Sequence, residues 1–189
     1  MRNKNEENKV ANYLKNMGLC CIRFSKEEMR QGKTPDYKVY KNKDLKFFCE
    51  VKAVNAILCG GDDPIFNKLT DDIHEAMKQF NAVNLNGNYP NVLAFINHND
   101  DEFYNFTDLR DTITGNGITD TGKNEPIYKN FSEGRIRKEK MNIHLYIWFN
   151  LNRQRPHLFF NTINEKHLQD LCSIFSIKPD DLKKYYINA

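Results

Sequence analysis

Three side chains that could cooperate in hydrolysis, two carboxylates and one ammonium group, lie near one another in the sequence. Asp36 follows a proline, Glu50 comes after thirteen further residues, and Lys52 lies two positions beyond it. The apolar spacing around them predicts two strands in a hairpin-like pair, at 36–40 and 45–54. Residues two apart on a strand point to the same face, so Glu50 and Lys52 project together, and Asp36 can converge with them at one end of the sheet.

This set of side chains suits hydrolysis assisted by a divalent cation. Two carboxylates on an otherwise apolar strand pair are costly to bury unless a partner compensates them. Mg²⁺ prefers oxygen ligands and is commonly held by one or two carboxylates, with waters and substrate phosphate oxygens as the others. Asp36 and Glu50 would hold Mg²⁺, or Mn²⁺ in its place, with the Val51 carbonyl as a further ligand. Lys52 would orient the attacking water and stabilise charge on the phosphate. The alternative is a surface ion-pair cluster on an edge hairpin.

The segment Thr-Pro-Asp36, followed by Glu50-Val51-Lys52, resembles the signature of the PD-(D/E)XK nuclease superfamily. The resemblance covers about the first half of the chain. It implies a restriction-endonuclease-like core of a helix, a three-strand meander, a second helix and a further strand. It also implies a Mg²⁺-dependent endonuclease that hydrolyses DNA phosphodiester bonds, often as a homodimer. Restriction, repair and junction-resolving members share these residues, so the sequence does not choose between these roles.

Two further catalytic residues are implied by the same resemblance. Members often place a glutamate on the first helix, and Glu7 lies on the inward side of the helix predicted here. Acidic residues in a first helical turn are also favoured by the helix dipole alone, which is the other interpretation of Glu7. Members often carry a glutamine or lysine on the second helix, and Gln79 is the residue chosen here. The alternative for Gln79 is an ordinary solvated helix flank.

The other elements follow from hydrophobic spacing, caps and turns. Helices are predicted at about 5–17, 64–83, 164–175 and 180–186, a short helical stretch at 107–113, further strands at 19–24, 92–96, 142–151 and 158–161, and a loop at 25–34. This order is typical of an α/β domain. We interpret 1–96 as the nuclease core, 97–140 as an insertion or flexible flap, and 141–189 as a C-terminal extension of further strands and helices that completes the same domain.

The amino-acid composition is compatible with a nuclease but does not identify one. The 189 residues include 28 Lys and Arg against 25 Asp and Glu, and the net charge of +3 is too small to identify a nucleic-acid-binding protein by itself. No apolar run is long enough to cross a membrane. The five cysteines are irregularly spaced without a C-x-x-C pair, which argues against a structural zinc site and predicts reduced thiols in a cytoplasmic protein. The candidates for contacts with DNA phosphates are Lys33, Lys78, Arg135, Arg137, Lys138 and Lys140, and the alternative for the last four is a solvated loop.

Two other functions fit the same residues. The first is a non-catalytic nucleic-acid-binding or assembly protein that retains the nuclease fold. The second is an unrelated α/β protein in which the carboxylates are incidental. Cleavage of DNA in the presence of a divalent cation separates the nuclease from the first of these alternatives.

Overall fold

The computed structural model describes residues 4–55, 64–98, 105–118, 124–126, 138–150, 153, 155–161, 164–178 and 181. The helices are α1 (Lys4–Asn16), α2 (Lys26–Gln31), α3 (Pro64–Val83), α4 (Phe106–Thr114) and α5 (Glu165–Phe175), with a 3₁₀ turn at Lys140–Asn142. The strands are β1 (Cys20–Ile22), β2 (Tyr37–Lys41), β3 (Asp44–Val54), β4 (Asn91–Asn97), β5 (Asn116–Ile118), β6 (Asn124–Pro126), β7 (Leu145–Asn150) and β8 (His157–Phe160).

Six of these strands form one mixed sheet in the order β1-β2-β3-β4-β7-β8. The first three make an antiparallel meander, β3, β4 and β7 run parallel, and β8 returns antiparallel to β7. All seven residues of β4 are buried, which is typical of a central strand between parallel neighbours. Strands β5 and β6 pair with each other apart from the main sheet. The predicted α/β class is confirmed.

Helices cover both faces of this sheet. On one face α1 and α5 pack their apolar sides, including Leu14 and Leu171, against the strands. On the other face α3 and α4 contribute side chains such as Leu69, Phe80 and Leu109. The apolar stripe of α3 repeats every three or four residues, so one side of that helix lies on the sheet. Each large apolar side chain buried in this way contributes roughly 2 kcal/mol to stability.

Helix α4 lies within the segment predicted as an insertion. Asn105 caps its first turn, and the helix ends at Gly115, whose φ of 73° is favourable for glycine. Leu109 and Ile113 are buried in the same core as α3. This helix is therefore packed on the sheet, whereas half of the predicted 97–140 segment lies outside the described residues.

The structure corrects the interpretation of residues 25–34 as a loop. Lys26–Gln31 forms the short helix α2, and Ser25 and Glu28 make a reciprocal capping box at its start. The Ser-x-x-Glu spacing that produces such a box is present in the sequence. The strand predicted at 19–24 is also shorter than expected, and β1 is an edge strand in which Cys20 and Ile22 are exposed.

The second half of the chain contains one shifted strand boundary and one confirmed helix. β7 begins at Leu145 and not at residue 142, because residues 140–142 form a 3₁₀ turn. The helix predicted at 180–186 lies outside the described residues. The helix predicted at 164–175 is confirmed as α5, with Asn164 as its cap. None of the helices in the described part of the chain is both long and apolar enough to span a lipid bilayer.

A buried polar network lies where β4, β7 and α5 meet. The Nδ1 atom of His144 accepts a hydrogen bond from the backbone N–H of Asn91 at 3.0 Å. The ring of His144 meets the ring of His167 edge to face, with centroids 4.6 Å apart, and Nε2 of His167 lies 2.9 Å from the carbonyl oxygen of Gly87. Burial lowers the pKa of His144 to about 4, and its electrostatic interaction with His167 adds to the shift. The neutral imidazole is therefore the form that this network accommodates.

Candidate active site

The pairing of β2 with β3 brings Asp36 and Glu50 together. Tyr37 pairs with Cys49, so continuing the register by one residue places Asp36 opposite Glu50. Side chains opposite each other on an antiparallel pair point to the same face. Asp36 precedes the first residue of β2, and its Oδ2 atom accepts a hydrogen bond from the backbone N–H of Val51 at 2.8 Å. The Asp36 carboxylate therefore lies against the peptide group that follows Glu50.

Lys52 lies beside Glu50, as their spacing predicts. The Nζ atom of Lys52 is 2.9 Å from Oε1 of Glu50. Glu50 is 1% exposed, and the side chain of Lys52 is 14% exposed. Strand β3 is an interior strand between β2 and β4. The alternative of a surface ion-pair cluster on an edge hairpin is therefore wrong, because the pair is buried in the middle of the sheet.

Gln79 connects Lys52 to the segment that precedes β2. Nζ of Lys52 donates to Oε1 of Gln79 at 3.1 Å, and Nε2 of Gln79 donates to the backbone carbonyl of Thr34 at 3.0 Å. Gln79 is 1% exposed, so it is not a solvated helix flank. Both the oxygen and the nitrogen of its amide group therefore form hydrogen bonds, and the ammonium group of Lys52 is held between Glu50 and Gln79.

Glu7 is buried on the first turn of α1, where it forms an ion pair with Arg23. Burial raises the pKa of Tyr37 to about 12, the charge of Arg23 opposes the shift, and the charges of Glu7 and Asp36 add to it. Glu7 and Asp36 are therefore within electrostatic reach of one hydroxyl group. The structure places Glu7 near the cluster, with Arg23 as its contact.

Arg23 was not expected at this site from the sequence. A single cation after a short strand has no periodicity or motif that would distinguish it from a surface residue. A second missed contact joins Glu6 of α1 to His98, whose Nε2 lies 2.6 Å from Oε1 of Glu6. His98 follows β4, and its backbone N–H donates to the carbonyl of Val54 at 2.9 Å. The first turn of α1 thus contacts the residue that follows β1 and the residue that follows β4.

Two acidic residues of α3 also interact with Lys52. Burial raises the pKa of Asp72, and the nearby charges of Lys68 and Lys52 oppose that shift. A hydrogen bond from Lys33 holds the pKa of Glu75 below its ordinary value, and the charges of Lys33, Lys52 and Lys78 add to this shift. The positive charges of the lysines around α3 are thus balanced by the carboxylates of Asp72 and Glu75 on that helix.

Lys33 and Lys78, two of the predicted phosphate contacts, both lie next to Glu75. The distances from their Nζ atoms to its carboxylate oxygens are 2.5 Å and 3.7 Å. Their side chains are 64% and 68% exposed, so these ion pairs are accessible to solvent. Surface ion pairs of this kind are weak, and a polyanion can compete for the lysines.

The remaining predicted basic contacts fall into two groups. Arg135 and Arg137 lie outside the described residues. Lys138 is exposed and lines, together with Lys78, a groove of about 540 Å³ beside α3. Lys140 points elsewhere, because its Nζ donates to the backbone carbonyl of Ile113 at 2.9 Å. The structure therefore brings Lys138 beside Lys78 and uses Lys140 to hold the 3₁₀ turn to α4.

The cluster fits the ligand preferences of Mg²⁺. Within the described ranges, no group of three or more His, Cys, Asp and Glu side chains is arranged to hold one cation. Asp36 and Glu50 supply two buried carboxylates, and one or two carboxylates with waters and substrate oxygens make a common Mg²⁺ site. The residues that could hold a cation are thus Asp36 and Glu50, and the role of the Val51 carbonyl as a further ligand stays a prediction.

Comparison of the chain with protein-family models, with curated proteins and with solved structures found no match. Its fold is an α/β arrangement around a six-stranded mixed sheet. Its candidate site is a buried cluster of Asp36, Glu50, Lys52 and Gln79, drawn from the strands β2 and β3 and the helix α3.

Proposed function

We propose that this protein is a metal-dependent nuclease that hydrolyses phosphodiester bonds of DNA at the cluster of Asp36, Glu50 and Lys52. The observation that carries the proposal is the contact of Lys52 with both Glu50 and Gln79 beside the carboxylate of Asp36. A cluster of ionised groups in a sheet interior costs free energy, and functional sites commonly bear such a cost.

The order of elements also supports a restriction-endonuclease-like core. The helix α1 precedes an antiparallel meander of three strands, and α3 then crosses over to place β4 parallel to β3. This matches the order that the resemblance implies for the first half of the chain. Strands β7 and β8 and helix α5 extend the sheet beyond that core and would shape the substrate groove or an interface between two subunits.

The side chains have separate tasks in the proposed reaction. Asp36 and Glu50 would hold Mg²⁺, which when bound supplies an activated water and polarises the phosphate. Lys52 donates a hydrogen bond to the attacking water or to a phosphate oxygen and stabilises the negative charge that develops there. Gln79 keeps the ammonium group of Lys52 in place, because its own amide is fixed to the Thr34 carbonyl.

The exposed lysines beside α3 would contact the DNA backbone. Lys33, Lys78 and Lys138 lie on the outer side of α3 or next to it, and their charges suit phosphate contacts that carry no sequence information. Binding through such contacts weakens as the salt concentration rises. The choice of DNA over RNA, and the homodimer, come from the resemblance alone.

The test of the proposed function is cleavage of circular and branched DNA by the purified chain. Wild-type protein is expected to cut DNA with Mg²⁺ or Mn²⁺ and to stop when EDTA is added. Asp36→Ala removes one carboxylate and should bind DNA without cutting it. Equal cleavage by the variant would contradict the mechanism. DNA binding without cleavage by either protein would favour the non-catalytic nucleic-acid-binding alternative.

Gln79→Leu is expected to slow cleavage while leaving the metal site in place. The substitution removes the amide that holds Lys52 and leaves the Thr34 carbonyl without this donor, so we expect roughly a tenfold lower kcat and about 1–2 kcal/mol lower stability. Single-turnover cleavage and urea denaturation measure the two effects. Gln169→Leu on the exposed side of α5 is the matched control and should cleave at the wild-type rate. A wild-type kcat in Gln79→Leu would mean that Lys52 needs no support from α3.

A further inference from the structure

Arg23 presents a half-exposed guanidinium group at the edge of the carboxylate cluster, and the proposed catalytic roles do not use it. It follows β1 directly, and its Nη1 forms an ion pair with Oε2 of Glu7. Its Nη2 donates to the hydroxyl of Tyr37 at 3.3 Å, and its guanidinium carbon lies 5.2 Å from the centre of that ring. Arg23 therefore links the first turn of α1 to the start of β2, next to Asp36.

Electrostatics explain why a cation lies at this position. Glu7 and Asp36 are each 4% exposed, and two carboxylates buried near one another need a compensating charge. Burial lowers the pKa of Arg23, but the hydrogen bond to Glu7 and the charges of Tyr37, Glu7 and Asp36 raise it above its ordinary value. The side chain of Arg23 is nevertheless 49% exposed, against 14% for Lys52. It can turn towards solvent without unpacking the core.

We propose that Arg23 is a displaceable counter-ion: it neutralises Glu7 and Asp36 in the metal-free protein, and it contacts a phosphate oxygen of the DNA once a divalent cation is bound. This inference rests on the proposed nuclease function and adds to it how the site is regulated. A guanidinium group suits both states, because its planar fork binds carboxylate and phosphate with two parallel hydrogen bonds.

Two consequences follow from this exchange of partners. The affinity of the free protein for a divalent cation is lowered by Arg23, because the cation and the guanidinium group compete for the same negative charge. DNA then strengthens cation binding, and the cation strengthens DNA binding by the same factor, since coupling between two binding equilibria is reciprocal. The protein would thus hold its metal firmly only when substrate is present.

The test measures Mn²⁺ binding to the full chain by titration calorimetry in the absence of DNA. Arg23→Gln should bind Mn²⁺ about tenfold more tightly than wild type, because removal of a positive charge close to a divalent cation removes electrostatic repulsion of that order. Arg23→Lys keeps the charge and should stay within about twofold of wild type. Arg30→Gln is the matched control, an exposed arginine on α2, and should leave the affinity unchanged.

The second measurement is steady-state cleavage at saturating Mn²⁺. Both Arg23→Gln and Arg23→Lys should raise KM for DNA about tenfold, because lysine cannot form the paired hydrogen bonds of a guanidinium group. If Arg23→Gln does not fold, an unchanged KM in Arg23→Lys overturns the inference by itself.

The outcomes separate this inference from the proposed function. Unchanged or weaker Mn²⁺ binding by Arg23→Gln, together with loss of Mn²⁺ binding by Glu50→Gln, overturns the counter-ion role and leaves the nuclease in place. Wild-type protein that binds no Mn²⁺ with or without DNA overturns the metal site, and the inference with it.

Discussion

Lys52→Met is expected to lower both the stability of the protein and the rate of the proposed DNA cleavage. Lys52 lies 2.9 Å from Glu50, which is 1% exposed, so the variant removes a cation from a buried carboxylate. Breaking a buried ion pair costs roughly 3–5 kcal/mol, and we expect about 3 kcal/mol here because Lys52 is partly exposed. Loss of the ammonium group should also lower kcat by about 10²- to 10³-fold. Urea denaturation and single-turnover cleavage measure the two effects.

The double variant Glu50→Gln with Lys52→Met separates the effect of the unpaired charge on stability from the effect of lost packing. With both charges removed, about 2 kcal/mol of the lost stability should return relative to Lys52→Met alone. Cleavage should fall below that of Lys52→Met, because the carboxylate that would hold the metal is missing too. Lys46→Met is the matched control on the same strand: its partner Asp44 is exposed, and the change should cost less than about 0.5 kcal/mol. A double variant no more stable than Lys52→Met would contradict the charge argument.

Acidification is expected to destabilise the protein through His144. The pKa of His144 is about 4 in the folded protein, below the ordinary value of 6.5, so the unfolded chain binds the proton more tightly. The stability that comes from keeping this histidine neutral is complete above pH 6.5 and is lost as the pH falls towards 4. Across this window the loss amounts to about 3 kcal/mol.

His144→Asn should remove most of this pH dependence. An asparagine can still accept the hydrogen bond from the Asn91 backbone but does not titrate, so the variant is less stable at neutral pH and changes less on acidification. Urea denaturation at pH 7 and pH 4.5 measures the slope, and the difference from wild type should be about 2 kcal/mol. An unchanged slope in His144→Asn would mean that other groups control the acid response.

The contact of Lys52 with Glu50 could be predicted from the sequence because it depends on a local rule. Side chains two apart on a strand share a face, and the register of a short hairpin brings Asp36 to the same place. The central position of β4 could also be predicted, since a wholly apolar strand must be covered on both faces. Predicting these features requires only the side-chain alternation of one strand and its pairing with the adjacent strand.

The surroundings of the site could not be predicted in this way. Whether Gln79 faces solvent or the sheet depends on how α3 rotates over β3, which the hydrophobic stripe alone does not fix to within one residue. The ion pair of Arg23 with Glu7 joins elements whose relative placement is set by packing. The pairing of Lys33 with Glu75 likewise brings together residues far apart in sequence, whereas Lys78 lies only one helical turn from Glu75.

The missed helix α2 is a different kind of error. The Ser25 and Glu28 capping signal was present in the sequence, but six residues without a buried face give no hydrophobic period. The helix depends on its cap and on the contact of Lys38 with Glu28, which lie 2.5 Å apart. Short helices of this kind are recognised by their capping residues and not by a hydrophobic period.

The hydrogen bonds that Asp36, Lys52 and Gln79 make in the candidate site lie within one continuous part of the chain, from Thr34 to Gln79. Loop-closure entropy grows only slowly with loop length, so the span of 45 residues between Thr34 and Gln79 does not prevent these contacts from forming before the rest of the chain is present. During synthesis this part of the chain leaves the ribosome before β7, β8 and α5 have been made. The candidate site can therefore begin to assemble in the nascent chain, and the later strands then enclose a sheet that already carries the side chains proposed to act in cleavage.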